Sequence, residues 1–98
     1  MKRIFEIVNY PNQIFSTTTA GNSVEITLRT FKGVIYANVS VNGVLMCAGA
    51  RCLANKKVFP TSVENAMGAT MYFECSTDEL PNYAQFNTPQ CMLVIEDL

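Results

Sequence analysis

Apolar and polar residues alternate along most of this chain with the two-residue period of half-buried β-strands. The clearest case is Val24, Ile26 and Leu28 interleaved with Glu25, Thr27 and Arg29. Two further apolar runs, Val34–Val41 and Val44–Ala48, meet at Asn42-Gly43. A two-residue type I′ turn needs positive φ at both central positions, which Asn tolerates and Gly adopts freely, so this pair predicts a β-hairpin. In its first arm Ile35, Ala37, Val39 and Val41 share one face, while Val34, Tyr36, Asn38 and Ser40 share the other. Ahead of it, a strand containing Ile4 to Val8 ends at Asn9-Tyr10-Pro11-Asn12, and a second runs from Gln13 to Thr18. Ala20-Gly21-Asn22 and Lys32-Gly33 supply turns.

Further along, Arg51-Cys52-Leu53 extends the pairing, and Gly49 and Gly68 mark bulge or turn points. Residues Thr61 to Met67 predict one helical turn, with Thr61 or Ser62 as cap and Glu64 in the first turn. Alternation resumes from Ala69 to Cys75, and the apolar run within Gln90 to Glu96 closes the chain. The expected fold is all-β: a small β-sandwich or partly open β-barrel of about seven short antiparallel strands. It is read as one domain over residues 1–98.

Hydrophobic residues make up 49% of the chain, enough for a modest core. Charged residues are only 15%, against ~25% in typical domains, and such a surface is suited to being covered by a partner. The net charge is -1, and Lys2-Arg3 and Lys56-Lys57 are the only basic pairs, so no direct nucleic-acid contact is expected. Glu6, Asn9 and Pro11 interrupt the apolar N-terminus, and no run approaches the ~20 apolar residues of a membrane-spanning helix. No membrane anchor is expected, and folding in a reducing cytoplasm is the simplest reading. The four cysteines lack a CxxC pair and are expected as free thiols. The Asn38-Val39-Ser40 sequon falls inside a strand and carries no weight.

Candidate chemistry is sparse. There is no His to serve as a general base, and no flanking pattern activates a Ser or Cys. The acidic pairs Asp78-Glu79 and Glu96-Asp97 read as solvated charge, and the five glycines are dispersed at turn positions. No catalytic residue, metal or cofactor is therefore expected. Aromatic residues on a charge-poor surface point instead to a protein interface. Phe5, Phe15 and Phe73 read as core. Tyr83 and Phe86, in the Pro-bearing Thr77–Thr88 loop, read as interface candidates. Arg29 and Arg51 each fit either an ion pair across the sheet or a bidentate contact to a neighbouring subunit.

Several segments, taken in order, resemble the baseplate plug proteins of contractile-tailed bacteriophages, including a cyanophage tail. They are Tyr10-Pro11-Asn12-Gln13-Ile14-Phe15, Val24-Glu25-Ile26-Thr27-Leu28-Arg29, Tyr36-Ala37-Asn38-Val39 with Asn42-Gly43, and Gly49-Ala50-Arg51-Cys52. Phe73 and the stretch Asp78-Glu79-Leu80-Pro81-Asn82-Tyr83-Ala84-Gln85-Phe86 complete the match. The resemblance implies a virion structural component near the axis where the tail tube begins, made in the host cytoplasm during assembly. Its implied partners are tube and hub proteins, in a homo-oligomer or a symmetric hetero-assembly. Tyr10, Asn12, Gln13, Arg29, Arg51, Tyr83 and Phe86 are the expected contact residues, with edge strands as docking devices. The alternative is a small β-type module that binds a protein or carbohydrate outside a virion.

Overall fold

Two-residue turns organise the larger sheet. In the computed structural model, which describes residues 2–5 (backbone alone at 2, 3 and 5), 10–76, 81, 84, 86 and 91–98, three such turns follow one another. Ala20-Gly21, Lys32-Gly33 and Asn42-Gly43 each have positive φ at both positions, from 48° to 84°. That is the type I′ geometry whose twist matches the strands it joins. They connect β2 (Asn12–Thr19), β3 (Asn22–Phe31), β4 (Val34–Val41) and β5 (Val44–Arg51) into a four-stranded antiparallel meander. Asn42 strengthens this end: its Oδ1 accepts from the Ser23 N–H at 2.9 Å, and its own N–H donates to the Ser23 carbonyl at 2.7 Å.

The second sheet has three strands in the order β1 (Lys2–Phe5), β7 (Cys91–Asp97), β6 (Ala69–Cys75), all antiparallel. Its inner face, with Ala69, Met71, Phe73, Leu93 and Ile95, packs on Val24, Ile26, Leu28, Ile35, Ala37, Val39 and Val41 of the larger sheet. One hydrophobic core thus lies between two sheets, and of the two expected architectures the sandwich is the one observed. Phe15 packs half-buried against the core, Phe73 is fully buried, and the Phe5 side chain lies outside the described residues. The expected first strand is observed as β1, and residues 6–9 of it lie outside the described residues.

Cys52–Phe59 crosses from the larger sheet to the outer edge of β6. The Cys52 N–H first donates to the Ile35 carbonyl, so pairing does run past Arg51. The Asn55 and Val58 N–H groups then donate to the Phe73 and Met71 carbonyls at 2.8 and 2.9 Å. Asn55 continues the edge with its side chain: Oδ1 accepts from the Cys75 N–H at 2.8 Å and Nδ2 donates to the Cys75 carbonyl at 3.1 Å.

Helix α1 (Thr61–Met67) occupies the expected span, but neither Thr61 nor Ser62 caps it. Pro60 is the N-cap, and its carbonyl accepts from the Val63 and Glu64 N–H groups. Pro60 holds the extended φ a cap requires, and Thr61 becomes the first helical residue, where its hydroxyl accepts from Lys57 Nζ at 3.1 Å. Lys57 Nζ also reaches the buried Glu64 carboxylate at 3.4 Å, supplying the opposite charge that burial demands.

The C-terminus of α1 is where the hairpin tip of β2–β3 meets the smaller sheet. Thr19 Oγ1, buried, donates to the Met67 carbonyl at 2.6 Å, and Asn22 Nδ2 donates to the same oxygen at 3.3 Å. Gly68 ends the helix at φ 74°, and a Cβ added there would stand 2.5 Å from Ala20 Cβ. Gly68→Ala should therefore cost about 2–4 kcal/mol, the sum of left-handed strain and a steric clash. Gly33→Ala, at φ 77° with open space around it, should cost only about 1 kcal/mol. Urea unfolding of the two variants measures the difference.

Candidate functional site: the outer face of the four-stranded sheet

Strand register builds this site. Side chains at even positions of β2 and β4 and odd positions of β3 point away from the core, as the burial alternation records. Asn12 pairs with Arg29, Arg29 with Tyr36, and Tyr36 with Arg51, so these four residues form one row across all four strands. On one side of it lie Phe31 and Val34, and on the other Ile14, Thr27 and Asn38. A shallow open depression of about 190 Å³ is lined by Asn12, Gln13, Ile14, Thr27, Leu28 and Arg29.

The chemistry of this face is that of a contact surface. Tyr10, Ile14 and Phe31 are 66%, 63% and 64% exposed. Lys32 Nζ lies 5.4 Å from the Phe31 ring centroid, a cation–π contact. Arg29 and Arg51 are exposed, and their side chains make no ion pair or hydrogen bond among the described residues. Among the described residues, then, no cross-sheet ion pair forms on either arginine. Two strand spacings separate the arginines, about 10 Å, with the half-buried Tyr36 between them. Arginine and tyrosine flanked by exposed apolar side chains is a composition enriched in binding hot spots.

Of the seven sequence-predicted contact residues, Asn12, Arg29 and Arg51 share the row, and Tyr10 stands exposed just before β2. Gln13 belongs to the opposite set of β2 positions, is half-buried, and donates from Nε2 to the Tyr10 carbonyl at 3.2 Å. It supports the site rather than presenting a side chain on the row. Tyr83 lies outside the described residues. Phe86 is corrected: only 2% exposed, it stacks on Phe73 with centroids 5.5 Å apart, because a large ring with a core partner gains more from burial than from display. Ile14, Phe31 and Tyr36 join this face beside the expected contact residues. Their signal is the register that two-residue turns impose, which sets Asn12 opposite Arg29 and Arg29 opposite Tyr36.

The cross-row placement of Arg51 depends on β5. Its register against β4 slips between Ala37 and Val39 and again between Val39 and Ser40, leaving extra residues on β5. Asn38 Oδ1 accepts the Gly49 N–H at 2.6 Å inside this irregular stretch. The result is a bulged edge strand carrying exposed Val44, Leu45 and Met46. By contrast β2, the other edge, pairs with β3 without interruption over eight residues. A bulged edge resists strand addition, whereas a regular one permits it.

None of the four cysteines is in a disulfide, and no cluster of three His, Cys, Asp or Glu able to hold a metal is found among the described residues. Cys52 and Cys91 are buried, Cys47 and Cys75 half-buried.

The fold is a small antiparallel β-sandwich, and its most distinctive exposed chemistry is the arginine- and tyrosine-bearing outer face of the larger sheet. The chain belongs to the family described as cyanophage baseplate Pam3 plug gp18, whose model matches residues 1–97. It is therefore a structural protein of the phage tail baseplate. No curated protein matches the chain.

Two outcomes follow from burial. Phe86→Ala should destabilise the fold by about 3–5 kcal/mol in urea titration, as expected of a core aromatic rather than a docking residue. Desolvation pushes the Cys52 thiol from its ordinary 9.0 up to about 12. The folded state therefore favours the neutral thiol. Its stabilising contribution is whole below pH 9.0 and is lost as pH rises toward about 12. Cys52→Ala should show a flatter fall of stability than the parent protein across that window, measured by unfolding at a series of pH values.

Proposed function

We propose that this protein is a plug subunit seated near the end of the tail tube, holding tube and hub proteins together by fit rather than by chemistry. The reading rests on membership of the plug family together with one local observation. Two exposed arginines, without an ion pair among the described residues, flank a tyrosine on an aromatic-bearing sheet face of a chain whose net charge is -1. Such a row fits carboxylates on a partner about 10 Å apart, each able to accept a guanidinium fork, with Tyr36 covered at the centre. The regular edge of β2 provides backbone docking beside it, and β1 offers a second edge on the smaller sheet. Tyr10 and Asn12 extend the contact, Gln13 holds the Tyr10 carbonyl in place, and Tyr83 belongs to the same set of proposed contacts. The subunit acts as part of a homo-oligomer or symmetric hetero-assembly in the virion, after assembly in the host cytoplasm.

The experiment is a charge reversal, Arg29→Glu with Arg51→Glu, introduced into the phage. Both side chains are exposed, so the subunit should fold with an unchanged circular dichroism spectrum. Purified tails should lack it, with affinity for its partners weakened roughly a hundredfold. Normal incorporation of the variant would reject this face as the docking surface.

A further inference from the structure

Two thiols outside the contact face stand directly opposite one another. Cys75 ends β6, Cys91 begins β7, and the two are register partners with Sγ atoms 3.5 Å apart. The type of pairing follows from the backbone. In an antiparallel strand a residue's N–H and C=O point the same way, and both of these groups of Cys75 are bound by the Asn55 side chain. They therefore point away from β7, and Cys75–Cys91 is a non-hydrogen-bonded pair. That is the pair type in which the Cα atoms come closest, about 4.5 Å. This separation falls within the range a disulfide spans, so closure needs the sulfurs to approach by about 1.5 Å through side-chain rotation.

The surroundings keep the pair in place and give it an order of attack. The Phe86 ring stacks on Phe73, one inward-facing position from Cys75 along β6, and Phe86 also bridges to Cys91. Cys91 is 1% exposed while Cys75 is half-buried, so an outside reagent meets Cys75 first. Cys47 belongs to β5 in the other sheet, and Cys52 is fully buried.

We propose that Cys75 and Cys91 form a dithiol modification site that closes to an intramolecular disulfide by exchange with a small-molecule disulfide such as oxidised glutathione. The Cys75 thiolate attacks one sulfur of the reagent and expels a thiolate, leaving a mixed disulfide on Cys75. The Cys91 sulfur, surrendering its proton, then attacks Cys75 Sγ and expels the second thiol. The protein loses two hydrogens, and one reagent disulfide becomes two thiols. The new bond ties the end of β6 to the start of β7 and so closes the 76–90 connection at its base. Burial raises the Cys75 thiol above its ordinary range, only partly offset by its contacts with the Cys91 thiol and the Asn55 backbone, so exchange is best run under mildly alkaline conditions.

The test incubates the full chain with oxidised glutathione, blocks remaining thiols, and reads intact mass and a non-reducing peptide map. The expected product is monomeric, lighter by two hydrogens, and carries one cross-link between the Cys75 and Cys91 peptides. Its melting midpoint should rise by roughly 10 °C and return on reduction with dithiothreitol. Cys75→Ser and Cys91→Ser should each abolish the mass loss, and Cys47→Ser should leave it unchanged. The peptide map of the parent protein decides the matter even if a variant folds poorly. A persistent glutathione adduct on Cys75 with Cys91 still open to alkylation would overturn the proposal, as would a covalent dimer or an unchanged mass. The readout is independent of tail assembly, so failure of the docking proposal leaves it untouched.

Discussion

Across β2, β3 and β4 the two-residue turns leave no slack between the strands they join. Once Ala20-Gly21 and Lys32-Gly33 adopt positive φ, pairing across β2, β3 and β4 is determined for every residue. A slip of one residue would turn Val24, Ile26 and Leu28 out to water and bring Arg29 into the core. Turn geometry and hydrophobic alternation thus demand the same register. The larger sheet's share of the core, the outward row from Asn12 to Tyr36 and the position of the hairpin tip against α1 all follow from that agreement.

Legibility in the sequence tracks how local each cause is. The strands, the three turns and the buried set of β4 are visible because their signals span only a few residues. The sandwich was left beside an open barrel, since the choice depends on β1 pairing with β7 from the far end of the chain. Phe86 was misread because a polar, proline-bearing neighbourhood says nothing of the Phe73 ring that waits for it. The helix cap was misassigned for a related reason: Pro60 needs no side-chain bond to start a helix, and Lys57 occupies the Thr61 hydroxyl. Arg29 and Arg51 were singled out from the sequence, but their sharing a row with Tyr36 was not.

That last point turns on β5. An unbroken hairpin from Asn42-Gly43 would set Arg51 opposite Val34. The two register shifts move it to Tyr36, while the pair of extra residues keeps the guanidinium on the outer side of the sheet. One shift alone would have reversed the side. The irregularity that makes β5 a poor template for a neighbouring strand is therefore the same one that brings the second arginine level with the first.

Asn55 shows a different economy. One side chain stands in for a missing strand, offering an acceptor and a donor to the two backbone groups of Cys75. Aspartate has the same shape but lacks the donor, and leucine has the bulk but neither group. What position 55 demands is thus a functional group rather than a size, which is the reverse of what the aliphatic interior demands.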